Sequence, residues 1–453
     1  MLFQRIESEG LAHYSYLVGD RHEAIVIDPR RDCEIYIGLT ENQGFRITNI
    51  LETHRNEDYL TGSVELAART GAEVWHAEPE LDYRYGSAAA DGQEWKAGRL
   101  KVRAIHSPGH TAGHMSYLLH DSSGNPWMLF SGDSLFAGDI GRVDLAGADR
   151  MPEMAGLMYD TIFGKFLPLG DGIVVCPAHG SGSVCAESIA DRVWTTIGME
   201  RLHNPKLLFT SREDFIQNSI QVLERPPYFR QMEELNLLPP RLANLPVPTP
   251  LSPREFKKAA AEGIVLDCRT ELDFGAAHVP GSLSIWLGGI PSFAGWFIEY
   301  GRPLYLVSDA DKAEEAVRML VRMGYDSFGG SLSGGMLAWH MAGEESASFR
   351  METVQGLCGR IDEGGDHFVL DVRSLGEIER EGRIPGALHI HITQLPENMD
   401  KVPKDRRIDI FCGSGLRSTT AASLLQKNGW KDINVVLGGT AGWKSKACPL
   451  EKA

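Results

Sequence analysis

Four side chains suited to holding a metal ion stand just beyond four strand-like runs: His54 in LETHRNEDYLTGS, His110 in HSPGHTAGH, Asp133 in MLFSGDSLF and His179 in VVCPAHGSG. An isolated histidine is more often a satisfied core or surface residue than a ligand. Here the candidates gather in strand-exit loops, three of them beside glycine, and imidazole with carboxylate is a donor set that divalent metals take. A second kind of chemistry lies far downstream. In RRIDIFCGSGLRSTTAASLLQ an apolar strand, Ile408 to Phe411, stops at Cys412, and a glycine-rich loop leads into a helix that begins near Ser418. Backbone N–H groups across Gly413, Ser414, Gly415, Leu416 and Ser418, with Arg417 alongside, stabilise a thiolate at a helix N-terminus and can hold an anionic sulfur group. Cys412 is then a nucleophile and Arg417 its cationic partner.

The elements that must position these groups divide the chain. Residues 1 to about 190 alternate strand-like runs (AIVID, NILET, AEVWH, KVRAIH, HMSYLL, WMLF, GIVVC) with glycine-rich or helical connections, the pattern of a layered α/β domain. A polar helical stretch follows, and LPPRLANLPVPTPLSP is a proline-rich linker that neither a helix nor a central strand would cross. Beyond it the sequence repeats: IVLDCRTELDFGAAHVPGSLSI matches FVLDVRSLGEIEREGRIPGALHI, and GGMLAW matches GGTAGW. The expected domains are residues 1–240, 241–345 and 346–453.

Composition narrows the partners. With 45 basic against 61 acidic residues the net charge is −16, which opposes general attraction to nucleic acid or to anionic lipid. No apolar run reaches the ~20 residues needed to span a bilayer, and the opening MLFQRIESEG lacks the basic-then-apolar pattern of a secretory signal. Seven scattered cysteines, an odd number without close-spaced pairs, suggest a reduced cytoplasmic protein rather than a disulfide framework. A homo-oligomer is allowed by the sequence.

The motif around Cys412, Cys-x-x-x-x-Arg flanked by Asp371-x-Arg373, Pro385-Gly386-Ala387 and Trp443, resembles the rhodanese family. That resemblance implies a sulfane sulfur carried as a Cys412 persulfide. Arg383 departs from the histidine usual before Ile-Pro-Gly. The middle repeat keeps this frame but has Ser308 near the cysteine position, with Asp309 and Asp311 in the loop. Two carboxylates would repel an anionic sulfur donor, and Cys268 reads as a core residue, so the middle domain resembles an inactive rhodanese.

The His54, His110, Asp133 and His179 loops resemble the metallo-β-lactamase superfamily, which implies an αββα sandwich with its ligands at one edge. The binuclear form of that family needs Thr-His-x-His-x-Asp-His, whereas this loop keeps His54 and Asp58 and has Asn56 and Tyr59 at the other two positions. Two zinc ions about 3.5 to 4 Å apart require nitrogen ligands at both. His54, His110 and Asp133 remain, matching the two-histidine, one-carboxylate triad of non-haem Fe(II) oxygenases. Within the superfamily this resembles the persulfide dioxygenases, and it implies one mononuclear Fe(II), with Asp58 and His179 orienting the ligands. The same resemblance makes Arg142 a candidate for a substrate carboxylate and Tyr159 a contact for the thiol substrate.

The expectation is an α/β multidomain sulfide-detoxification enzyme. A low-molecular-weight thiol persulfide, such as glutathione persulfide, would be oxidised with O2 to sulfite, and Cys412 would exchange sulfane sulfur with sulfite or thiosulfate. Fusion would hold the two reactions at high effective concentration. A two-zinc thioester hydrolase like glyoxalase II, and a sulfurtransferase whose first domain binds no metal, stand as rival readings.

Overall fold

The computed structural model describes every residue except Glu187, Thr210 and Ala453. The polypeptide divides into two compact units, Met1–Leu245 with Val321–Gly324, and Pro246–Leu320 with Tyr325–Ala453.

The first unit is an αββα sandwich. One six-stranded sheet runs in chain order from Leu2–Ser8 through His13–Asp20, Glu23–Ile27, Arg46–Leu51 and Glu73–His76 to Ser87–Ala88. The other runs from Thr195–Thr196 through Val174–Pro177, Pro126–Gly132, Met115–His120 and Leu100–His106 to Glu94–Ala97. Side chains alternate across a strand, so each sheet has two apolar faces to cover. Tyr16, Val18, Ile25 and Ile27 of the first sheet pack against Val102, Tyr117, Leu119 and Phe130 of the second. On the outer faces, Tyr36 and Leu66 from the helices Glu34–Glu41 and Ser63–Thr70 cover Val26 and Ile50, while Met154 and Met158 from Met151–Thr161 cover Leu118 and Leu129. Among the described residues, no helix is long and apolar enough to cross a membrane.

The second unit carries the sequence repeat as two parallel five-stranded sheets of one topology. The first has the order Pro250–Leu251, Phe328–Leu332, Leu304–Val307, Ile264–Asp267, Leu283–Ser284, and the second the order Arg350–Thr353, Ile433–Leu437, Ile408–Phe411, Val369–Asp371, Leu388–His389. Their central strands are buried because helices cover both faces of a parallel sheet: all four residues of Leu304–Val307 and of Ile408–Phe411 are buried, with Asp409 in the latter bonded to Arg360 and Asn434. One expectation needs correction. Cys358 and Cys448, separated by 90 residues in sequence, are joined by a disulfide with Cα atoms 5.9 Å apart. Sequence spacing concealed a pair that folding brings together; Cys33, Cys176, Cys185, Cys268 and Cys412 are free and buried.

Candidate functional site

Strand exits bring His54, Asp133 and His179 to one edge of the sandwich, and His110 joins them from the loop between Leu100–His106 and Met115–His120. All four are buried. His54 Nε2 and His110 Nε2 lie 3.9 and 3.6 Å from Asp133 Oδ2. None of these three atoms has a hydrogen-bond partner. Buried polar atoms are nearly always paired, so three convergent orphans mark a place suited to a cation.

The opposite side of each ring fixes which nitrogen is free. His110 Nδ1 lies 2.9 Å from the Arg142 carbonyl, which can only accept, so Nδ1 carries a proton and Nε2 is the nitrogen that a metal ion would take in place of a proton. At His54 the chain is longer. The Thr53 hydroxyl donates to Asp28 Oδ2 at 2.9 Å and therefore accepts from His54 Nδ1 at 2.9 Å. Asp28 also receives the Thr53 backbone N–H at 2.8 Å. His114 Nε2 accepts the backbone N–H of Asp133 at 3.0 Å and holds the carboxylate's loop in place. Gly132 is required there: its φ is +53°, and a Cβ would stand 2.4 Å from His114 Nε2.

Two residues not anticipated from the sequence enter the cluster. Glu57 reaches between the two histidines, with Oε1 3.2 Å from His110 Nε2 and Oε2 3.8 Å from His54 Nε2. Cys185 Sγ lies 3.8 Å from Glu57 Oε1. The i, i+3 spacing of His54 and Glu57 was a signal available in the loop; nothing local pointed to Cys185. Asp58 and His179 form the other flank, His179 bonding Asp133 Oδ1 at 2.8 Å through Nδ1 and Asp58 Oδ2 at 2.9 Å through Nε2. Burial disfavours charge on His110, but Glu57 and then Asp133 outweigh it and lift the imidazole to about 9. At His54 burial wins and holds it down at about 4. Burial also opposes the charged form of Asp133, yet His179, His54 and His110 together hold the carboxyl well below its usual range. Protons on the imidazoles here balance charge that a metal ion would balance on binding.

The positions that depart from the binuclear motif have structural duties. Asn56 donates to the His54 carbonyl at 3.3 Å, and the Tyr59 ring packs against His13 at 3.9 Å between centroids, tilted by 32°. Asn236 clamps the loop, donating to the Asn56 and Tyr59 carbonyls at 2.7 and 2.8 Å and accepting the Thr61 N–H at 3.0 Å.

In the last domain Cys412 is buried at the end of Ile408–Phe411, and the Gly415 N–H points at its sulfur at 3.1 Å. The helix Leu416–Lys427 starts immediately beyond. Arg417 is gripped at both nitrogens by Glu377, at 2.6 Å each. Burial opposes the Glu377 charge, but Arg417 prevails and draws the carboxyl down to about 2. The Ser418 hydroxyl is buried without a partner. The loop rests on the Gly438-Gly439 turn: the Gly438 N–H donates to the Ser414 carbonyl at 2.9 Å, and a Cβ on Gly439 would stand 2.1 Å from Gly413.

Comparison with known proteins agrees with both geometries. Residues 9–179 match the metallo-beta-lactamase superfamily, and residues 252–342 and 353–446 each match the rhodanese-like domain. The chain is a metallo-β-lactamase-fold domain followed by two rhodanese-like domains. Persulfide dioxygenase ETHE1, mitochondrial, of Bos taurus is 27% identical over 254 residues, 52% of this chain and 82% of that protein. Hydroxyacylglutathione hydrolase GloC of Haemophilus influenzae is 28% identical over 218 residues, 43% of this chain and 91% of that protein. The crystal structure of a metallo-beta-lactamase from Staphylococcus aureus subsp. aureus COL superposes with a TM-score of 0.66 at 27% identity, covering 73% of this chain and 98% of that one.

Within the metallo-β-lactamase-fold domain, two expected substrate contacts have other partners. Arg142 was expected to offer its planar fork to a carboxylate. That fork is engaged by Asp144 at 2.7 and 2.8 Å, and its nitrogens also donate to the Leu223, Val184 and Glu224 carbonyls. Its backbone carbonyl, not its side chain, reaches the buried His54–His110–Asp133 group, through His110. Tyr159 lies on Met151–Thr161 with its ring stacked on Phe163 at 4.3 Å and against Phe215 at 5.4 Å. In the middle rhodanese-like domain Ser308 follows Leu304–Val307, Asp309 and Asp311 are exposed, and Cys268 is buried in the Asp267-x-Arg269 segment.

Proposed function

We propose that the metallo-β-lactamase-fold domain oxidises a low-molecular-weight thiol persulfide with O2, and that Cys412 transfers sulfane sulfur. The observation that carries the first half is the convergence of His54 Nε2, His110 Nε2 and Asp133 Oδ2, all buried and unpartnered. Two imidazoles and one carboxylate fit a mononuclear non-haem Fe(II), which when bound supplies electrons and open coordination positions for the reaction of O2 with sulfur. The similarity to persulfide dioxygenase ETHE1 supports the same substrate class.

The chain's own contribution is positioning. Asp28 through Thr53, and the Arg142 carbonyl, hold a proton on Nδ1 of His54 and His110, so that Nε2 of each would be the atom that holds the ion. His179 ties the second oxygen of Asp133 to Asp58, so the carboxylate presents Oδ2. The net reaction converts RSSH, O2 and H2O to RSH and sulfurous acid, which ionises to sulfite; the terminal sulfur is oxidised, O2 is reduced, and the thiol is released.

At Cys412 the thiolate attacks a sulfane sulfur, forms an S–S bond and expels the donor's leaving group. Sulfite can then attack the outer sulfur of the Cys412 persulfide, giving thiosulfate and restoring the thiolate. The Gly415 N–H supports the negative sulfur. Glutathione persulfide is the thiol persulfide we put forward.

The test is oxygen uptake with glutathione persulfide on the full chain loaded anaerobically with iron, with His110→Ala alongside. Uptake that His110→Ala abolishes supports the reading. Hydrolysis of a hydroxyacylglutathione without oxygen uptake would replace it with the activity named for the GloC relative.

A further inference from the structure

We infer that Glu57 and Cys185 take over the metal-binding duties of the two absent histidines, so that the pocket holds two adjoining cation positions. The first is His54, Glu57, His110 and Asp133. The second is Asp58, His179 and Cys185, with Asp133 between the two. Dioxygenase chemistry at one ion needs only the first position, so this assignment goes beyond that reading.

Three observations carry it. The ligand atoms of His54, Glu57 and His110 all lie within 4.8 Å of one another, as do those of Asp58, His179 and Cys185 and those of Glu57, Asp133 and Cys185. Metal–ligand bonds of about 2.0–2.3 Å leave neighbouring donors roughly 3–4 Å apart, so small side-chain shifts would close either shell. Each position also contains orphans: Asp58 Oδ1 is buried and unpartnered on the second, as His54 Nε2, His110 Nε2 and Asp133 Oδ2 are on the first. Charge fits as well. Glu57, Asp58 and Asp133 are three buried carboxylates, and with a Cys185 thiolate they carry four negative charges, matched by two divalent cations. Arg142, the nearby guanidinium, is already bonded to Asp144.

The two positions differ in character. Nitrogen and oxygen alone surround the first, which suits a ferrous ion, while sulfur in the second favours a softer ion of the zinc class. The departures from the binuclear motif are thus compensated from elsewhere in the chain, Glu57 one residue beyond Asn56 and Cys185 from the loop after His179.

Anaerobic titration of the metal-free full chain with Co(II) tests this. The expected result is two Co(II) per chain and a thiolate-to-cobalt charge-transfer band in the near ultraviolet. Cys185→Ser should remove the band and one equivalent of Co(II), while Cys412→Ser retains both. Asp58→Asn, nearly isosteric, should also lower the stoichiometry to one; circular dichroism and thermal unfolding check that each variant is folded. A single Co(II) without the band, or a band that survives Cys185→Ser, would overturn the assignment. Oxygen uptake separates this from the functional reading. Two bound ions without uptake by the iron-loaded chain would remove the dioxygenase and leave the ligands, whereas uptake with one ion and no thiolate band would do the reverse.

Discussion

Arg269 grips Asp267 in the middle domain as Arg373 grips Asp371 in the last, with 2.9 and 2.6 Å bonds in both, and each guanidinium also caps the helix that follows through the Ala277 or Gly382 carbonyl. Trp339 and Trp443 likewise bond the Glu345 and Pro449 carbonyls. What differs is one loop. A Cβ on Gly439 would strike the Cys412 loop, whereas a Cβ on its counterpart Gly335 would meet nothing within 4 Å. The rhodanese-like frame is therefore separable from its chemistry: buried ion pairs and a tryptophan hold the fold, and a close-packed glycine turn serves only the domain that has a thiol to position.

Substitutions can break or sharpen this contrast. The largest effect belongs to Cys412→Ser, which should lower sulfur transfer from thiosulfate by on the order of 10³-fold or more, because the loop holds no other thiol; thiocyanate formation with cyanide as acceptor measures it. Next is Gly439→Ala. Displacing the loop by about 1 Å should cost roughly 10²-fold in transfer, while Gly335→Ala should leave transfer unchanged and cost only the ~1–2 kcal/mol of a left-handed alanine. Equal loss in the two variants would show that the turn acts on the fold rather than on the loop.

Arg269→Ala and Arg373→Ala test the shared frame. Each leaves a buried aspartate unpaired and should destabilise its domain by about 3–5 kcal/mol, measured by denaturant unfolding. A large difference between them would mean that the frame is not common to both. The smallest effect is expected from Ser308→Cys in a Cys412→Ser background: a thiol beside Asp309 and Asp311, without the Gly439-type contact, should yield no measurable transfer.

The sequence made the architecture legible because its signals were local. Strand-exit loops located His54, His110, Asp133, His179 and Cys412, and the repeated Asp-x-Arg and Gly-Gly segments announced two copies of one fold. It was silent where partners are distant. Cys185 approaches Glu57 across 128 residues, Asn236 clamps the Asn56–Tyr59 backbone from 177 or more residues away, and Cys358 finds Cys448 across 90. Arg142 shows a different limit. Its side-chain partner Asp144 is only two residues away, yet residue type alone does not say whether a guanidinium is open to a ligand or already held.

The most direct measurement of the central claim is the stoichiometry of the iron-loaded Cys412→Ser chain, in which sulfite is not drawn off as thiosulfate, with glutathione persulfide, following O2 consumed, sulfite formed and thiol released together. The account predicts equal amounts of all three, with consumption lost in His110→Ala. Thiol released without oxygen consumption, from protein that holds its iron, would contradict it.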